Sequence, residues 1–247
     1  MSNLVIDIGN TRTKIAVFRD RKLLHSEITD RFSAEKVHEL TGEFHITNSI
    51  LSSVAEDQDE ILTILERNTR FIRFSHRYPA TVKINYKTPE TLGLDRLAGV
   101  IGARALNKNR SSLVIDCGTC ITIDAITGSG EYSGGSISPG LNMRLKALHV
   151  FTGKLPLVAL DTGFSEWIGN DTTGSILSGV LEGTFQEVFG FISKYVSAYP
   201  GLKILLCGGD ANFFDTRLKN SIFADIVETE PALILIGLNE VIHHYND

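Results

Sequence analysis

A short acidic motif occurs twice in this 247-residue chain, and the repeat constrains the fold more than any other feature. Val5-Ile-Asp-Ile-Gly-Asn-Thr11 returns as Val114-Ile-Asp-Cys-Gly-Thr119. Each copy ends one β-rich run and leads into two more: 14–18 and 22–28 after the first, 121–126 and 131–137 after the second. The turns of the first set, 9–13 and 19–21, are too short for a crossover, so its strands must form an antiparallel meander. The repeat is too long for a solenoid and predicts two homologous halves, 1–110 and 111–247, divided near 107–112.

Helix and strand patterns alternate behind each meander. In the first half the periodicity predicts a helix over 33–40, a strand from Ile50 to Val54, a helix from Asp57 to Asn68 and a strand over 70–74. Residues 75–89, with Pro79 and Pro89, read as a loop or irregular extended segment before a helix over 92–106. In the second half, helices are expected over 139–151, 173–197, 210–219 and 232–244, and strands over 203–207 and 222–227. Each half is therefore an α/β unit around a mixed sheet, and the cleft between such halves is the natural ligand site.

Composition narrows the partners. Lys and Arg number 24 against 29 Asp and Glu, a net charge of −5, so there is no positive field to hold a nucleic-acid backbone. The start, Met-Ser-Asn-Leu-Val-Ile-Asp, has no basic residue and its apolar run is broken by Asp7, which is unlike a signal peptide. No run of about 18 apolar residues exists to span a membrane. Three cysteines make no disulfide framework, and the expected compartment is the cytoplasm.

In the first repeat a carboxylate ends an apolar strand just before a glycine turn and a hydroxyl. Gly9 lets backbone N–H groups approach an anion, Asn10 and Thr11 add donors, and Asp7 can hold a cation or its water, a combination suited to nucleotide phosphates and magnesium. Alone it would be no more than a hairpin turn; the second copy at Asp116 favours the phosphate reading. Gly208-Gly209-Asp210 opens a helix after a strand, where Asp210 is either a ligand-facing residue or an N-cap. Tyr86-Lys-Thr-Pro-Glu-Thr-Leu-Gly-Leu-Asp-Arg96 sets a candidate base, Asp95, beside a fixed cation able to bind a carboxylate or phosphate; the ordinary alternative is a surface ion pair.

These motifs together resemble the acetate and sugar kinase, heat-shock chaperone and actin superfamily, and within it the type III pantothenate kinases. Gly134-Gly-Ser-Ile-Ser-Pro-Gly140, Lys154-Leu-Pro156, Gly169-Asn-Asp-Thr172 and Ser178-Gly179 fit the same family. The resemblance implies two ribonuclease H-like halves with five-stranded sheets, and phosphorylation of the hydroxymethyl hydroxyl of pantothenate by ATP. It implies that Asp95 is the base and that Asp7, Ile8, Gly9, Asn10, Thr11, Arg12, Thr13 and Lys14 form the phosphate-binding turn, with Thr119 also touching ATP. Tyr86, Gly93, Leu94, Asp95, Arg96 and Thr172 would hold pantothenate, and Asp116 a potassium or ammonium ion. It further implies a homodimer with the substrate and cation sites near the subunit interface. Thr88 and Leu94 depart from the commoner Asn and Ala of the family, which touches the shape of the substrate pocket and not its charge.

Other readings compete. A nucleotide-dependent regulator on the same fold would do no small-molecule chemistry, and a sugar kinase would take a neutral substrate; the Asp95-Arg96 pair beside Tyr86 favours a carboxylate. Cys117-Gly-Thr-Cys120 invites a redox or zinc reading, but a strand and not a helix follows it and no second ligand pair is present, so two buried strand cysteines are expected. Trp167 fits packing, an interface or a lid, and the sequence does not choose among them.

Overall fold

The computed structural model describes residues 1–9, 12–30, 32–53 and 59–246. Asn10 and Thr11, and Val54 and Asp57, expected as the ends of a strand and a helix, lie outside the described residues. The first stretch of chain runs β1 (Ser2–Ile8), β2 (Thr13–Arg19), β3 (Lys22–Thr29), α1 (Ala34–Phe44), β4 (Ile46–Ser53), α2 (Asp59–Asn68) and β5 (Arg70–Arg73). Its sheet has the order β3-β2-β1-β4-β5. The meander pairs antiparallel, while β4 and β5, reached through helices, pair parallel. Local chemistry sets the edges of α1: Ser33 Oγ accepts from Lys36 N–H, and His45 turns left-handed (φ 50°) behind it.

The chain continues through β6 (Lys83–Ile84) and α3 (Leu94–Leu106) into the second meander, β7 (Ser112–Cys117), β8 (Cys120–Ile126) and β9 (Glu131–Pro139). Then come α4 (Leu141–Val150), α5 (Thr172–Ala198), β10 (Lys203–Cys207), α6 (Ala211–Leu218), β11 (Val227–Thr229) and α7 (Leu233–Asn246). The second sheet has the order β11-β10-β7-β8-β9-β6. Its first five strands repeat the first sheet, with β7 where β1 stands and β10 and β11 parallel to it. It has six strands and not five, because β6 adds parallel to β9 with Ile84 opposite Tyr132.

The strand expected over 222–227 is displaced. Ser221 accepts through Oγ from Phe223 N–H and through its carbonyl from Ala224 N–H, bending the chain into a 3-10 turn, Ala224–Ile226, so pairing begins only at Val227. Ile222, expected in the strand, is exposed. Among the described residues no helix is long and apolar enough to cross a membrane.

By packing, the chain divides into two compact units. The first comprises Met1–Asn109, Ile126–Ser133 and Ala232–Asp247; the second comprises Arg110–Ala125 and Gly134–Pro231. In the first, Leu4, Ile6 and Ile8 of β1 share a core with Val37 and Leu40 of α1 and Leu65 of α2. Strand alternation sends Asn3, Val5 and Asp7 to the other face, where α7 packs. There Asn3 Nδ2 donates to Asn239 Oδ1 at 2.9 Å, and Asn48 Nδ2 to Asn3 Oδ1 at 2.8 Å. Asn239 in turn donates to the carbonyl of Asp20 at 2.9 Å. This buried network fixes the register of α7, since a one-residue slip would strand polar groups away from water. Helix α3 packs on α7 at close range: a Cβ at Gly102 would run into the Leu233 carbonyl, and one at Gly237 into that of Ala98. In the second unit Leu113, Ile115 and Cys117 of β7 join Ile204 and Leu206 of β10 in a core completed by α4, α5 and α6.

Candidate active site

The block from Tyr86 to Arg96 is held by backbone pairing at one end and a helix start at the other. Lys83 N–H donates to Gly130 O and Asn85 N–H to Tyr132 O, both at 2.8 Å, which delivers Tyr86 to the end of β6. The Tyr86 ring lies parallel to that of Tyr132, 3° between planes and 6.4 Å between centroids. The Arg96 guanidinium sits 5.9 Å from the Tyr86 centroid, within cation–π range. A 3-10 turn, Pro89–Thr91, follows, and the Leu92 carbonyl then accepts from His76 Nε2 at 2.6 Å.

Gly93 caps α3, and the next residues face in different directions. Asp95 is exposed and its Oδ1 accepts from Arg96 N–H at 2.8 Å, whereas Arg96 is only 7% exposed. A Cβ at Gly93 would lie 2.5 Å from Asp95 Oδ1, so the glycine makes room for the carboxylate. The block thus presents an exposed carboxylate at Asp95 and, at the next residue, a buried arginine whose guanidinium lies within cation–π range of the Tyr86 ring. Tyr86, Gly93, Leu94, Asp95 and Arg96 are brought together; Thr172 belongs to the second unit.

The first acidic turn is closed by Gly9 N–H donating to Arg12 O at 3.1 Å. Asp7 is 7% exposed and pairs in register with Lys14 on β2 and Ser52 on β4. Ile8 and Thr13 are buried and pair with each other across the ladder, while Gly9 and Arg12 are exposed. The second turn is shorter, Gly118 N–H donating to Cys120 O at 3.0 Å, with Thr119 exposed at its tip.

Asp116 ends β7 half-buried. Gly208, at φ +92°, is the residue that approaches it: a Cβ there would collide with Asp116 Oδ1 and with the Cys117 carbonyl. Asp210 N–H donates to Cys117 O at 2.8 Å, so the Gly-Gly-Asp turn is docked on the repeat motif. Asp210 stands at the N-cap of α6 but makes no capping bond, and burial pushes its carboxyl above the usual carboxylate range. Burial, with Asp116 and Asp210 adding to it, raises the Cys117 thiol well above its ordinary value, which makes it a poor nucleophile. Cys117 is buried and Cys120 half-buried, and among the described residues no group of three or more metal-ligating side chains occurs.

Thr172 lines a cavity of about 1120 Å³ between α4 and the start of α5, together with Arg144, Phe151, Leu155, Asn170 and Asp171. Phe151, which lines it, is 86% exposed, and Trp167 and Ile168, just before its Gly169 in the chain, are 75% and 60% exposed. Trp167 is thus not a core residue; its carbonyl accepts from Ser178 Oγ at 2.6 Å. Sequence reasoning missed Tyr132 and His76. Neither belongs to a motif, and only the fold brings them to the block.

The fold is that of the actin-like and sugar kinases. A glucokinase from an Antarctic psychrotroph superposes with a TM-score of 0.55 at 13% identity, covering 98% of both chains. A Campylobacter jejuni protein described as a conserved Baf-family transcriptional activator gives 0.62 at 21% identity, covering 97% of both; at such identities the likeness speaks to fold alone. The sequence is more specific. The family model for type III pantothenate kinase matches residues 3–194, and the type III pantothenate kinase of Phocaeicola vulgatus is 42% identical over 246 residues, 99% of each chain. The chain belongs to the type III pantothenate kinase family.

Proposed function

We propose that this protein transfers the γ-phosphoryl group of ATP to the hydroxymethyl hydroxyl of pantothenate, forming 4'-phosphopantothenate and ADP at the start of coenzyme A synthesis. The observation that carries the reading is the exposed Asp95 carboxylate followed in the chain by the buried Arg96, whose guanidinium is set over Tyr86. Arg96 and Tyr86 bind the pantothenate carboxylate end. The substrate oxygen attacks the γ-phosphorus, the bond to the β–γ bridging oxygen breaks, and a carboxylate oxygen of Asp95 takes the hydroxyl proton. Such transfer depends on alignment and charge stabilisation more than on covalent help.

The triphosphate is assigned to residues 7–14, where Gly9 is exposed and Arg12 and Lys14 add positive charge. Magnesium, which Asp7 is suited to hold directly or through water, supplies neutralisation of phosphate charge. A potassium or ammonium ion is assigned to Asp116, whose half-buried carboxylate lies close to the Cys117 carbonyl and the Gly208 turn, since oxygen donors suit a hard monovalent cation. The reading includes a homodimer, in keeping with the exposed apolar side chains of Phe151, Trp167 and Ile168. A cytoplasmic location fits three cysteines held as thiols.

The test is ADP release measured with ATP alone, with pantothenate and with a hexose, in potassium and in sodium buffers. Stimulation by pantothenate only, and more in potassium, is expected; stimulation by the hexose only, or by neither, refutes the proposal. Asp95→Asn should keep the melting temperature and lose on the order of 10² or more in kcat.

A further inference from the structure

We propose that Tyr132 is a positioning residue for pantothenate recognition, acting through Tyr86. The inference rests on the reading above that Tyr86 and Arg96 hold the substrate carboxylate. Tyr132 is completely buried, so it has no surface with which to touch a small molecule. It nevertheless governs Tyr86 twice. Its carbonyl accepts the N–H of Asn85, the residue just before Tyr86, at 2.8 Å, and its ring lies parallel to the Tyr86 ring at 6.4 Å. The Arg96 guanidinium in turn lies 5.9 Å from the Tyr86 ring centroid.

Tyr132 and Arg96 are buried, at 0% and 7% exposed, and Tyr86 is half-buried. The buried Tyr132 ring gives the partly exposed Tyr86 ring a fixed surface to lie against, within cation–π range of the guanidinium. Tyr86 has no helix to hold it: it follows a two-residue strand and precedes an exposed stretch, Lys87 to Thr91. Without the Tyr132 ring its side chain would sample several rotamers, and the ordering would have to come from substrate binding. The consequence falls on substrate affinity and not on the phosphoryl-transfer step, because Asp95 is placed by α3 and by Gly93.

The experiment is steady-state kinetics on Tyr132→Leu, Tyr132→Phe, Tyr86→Ala and the double variant Tyr86→Ala with Tyr132→Leu, with melting temperatures alongside. Tyr132→Leu should raise the KM for pantothenate by about three- to tenfold, the scale of an aromatic pair, with kcat and the KM for ATP close to the parent. Tyr132→Phe, which keeps the ring, should keep the parent KM. In the Tyr86→Ala background Tyr132→Leu should add nothing, since its effect runs through Tyr86. A raised KM in Tyr86→Ala with an unchanged one in Tyr132→Leu overturns this inference alone. An unchanged KM in Tyr86→Ala removes the substrate reading of Tyr86 and the inference with it. A joint fall of kcat, melting temperature and both affinities makes Tyr132 merely structural and also overturns it. If the leucine variant does not fold, the pliant Tyr132→Met takes its place, and failure of both to fold counts as the structural outcome.

Discussion

Replacing Gly93 by alanine separates the geometry of the base from the stability of the fold. Gly93 has φ −57° and ψ 130°, a conformation open to any residue, so its requirement is spatial. An added Cβ would lie 2.5 Å from Asp95 Oδ1, whereas ordinary contact begins at 3.4 Å; the oxygen must retreat by about 0.9 Å. The Cγ and Cδ atoms of Arg96, at 3.6 Å from that Cβ, need not move. Since Asp95 is exposed, its carboxylate yields by changing rotamer and the backbone stays in place. A displacement near 1 Å at a reacting group lowers turnover by roughly 10- to 100-fold, and this is the expected loss in kcat for Gly93→Ala. Loss of the favourable N-cap, about 0.5–1 kcal/mol, is offset by the stiffer unfolded chain, about 0.4–1 kcal/mol, so the melting temperature should stay near the parent value. The KM for ATP should be unaffected. The assay is ADP release at saturating pantothenate, paired with a thermal melt. A Gly93→Ala protein with parental kcat would refute the reasoning, as would one whose kcat and melting temperature fall together.

Two further outcomes test the second acidic motif. Gly208→Ala puts a Cβ into Asp116 Oδ1 and the Cys117 carbonyl at a φ of +92°, so it should destabilise the fold by more than the roughly 1 kcal/mol of an ordinary glycine-to-alanine change in a left-handed turn and lower the melting temperature accordingly; an unchanged melt contradicts the packing described. Asp210→Asn bears on charge. Burial raises the Asp210 carboxyl in the folded state, so its ionised form is less favourable folded than unfolded, and stability is lost as pH rises from the unfolded pKa through the raised folded one. The variant should therefore melt higher than the parent at pH 7 in a buffer without potassium or ammonium, the gap closing as pH falls below the usual carboxylate range. A gap that widens on acidification contradicts the sign.

Elements governed by local rules were legible. The strand at Lys203–Cys207 and the long helix α5 fall where apolar runs and periodicity set them, because burial of a segment leaves its period in the sequence. Partners are another matter. Asn3 bonds Asn239 across 236 residues of chain, and nothing in either neighbourhood encodes the other, so the docking of α7 in the first unit was not readable. Strand β6 was missed because two residues carry no alternation, and its pairing is set by the strand it joins. Ser221 defeated the strand over 222–227 through a side-chain bond to a nearby N–H that hydrophobicity does not record. In the candidate site the Gly-x-Asp-Arg spacing was visible in sequence; that Gly93 serves the Asp95 carboxylate, and that Tyr132 underlies Tyr86, required atoms.

The two acidic turns occupy equivalent places on their sheets, at the ends of β1 and β7, yet their charge has diverged. The first spans four residues between strands, which leaves Arg12 exposed at its end and Lys14 beside Asp7 in register. The second has only two, closes on Cys120, and has Asp210 docked against it through the Cys117 carbonyl. Cys117 registers the result, since both Asp116 and Asp210 act to keep its thiol protonated. In the first turn Arg12 and Lys14 add positive charge near Asp7, which favours phosphate; in the second, Asp116 and Asp210 add negative charge, which repels phosphate and attracts a cation. On the proposed reading, the length of the loop and its neighbours, and not the shared Asp-x-Gly signature, assign the triphosphate to one turn and the monovalent ion to the other. Exchange of the potassium requirement, and not of ATP affinity, is then what substitution at Asp116 should alter, and a loss of ATP affinity alone in Asp116→Asn would contradict that division.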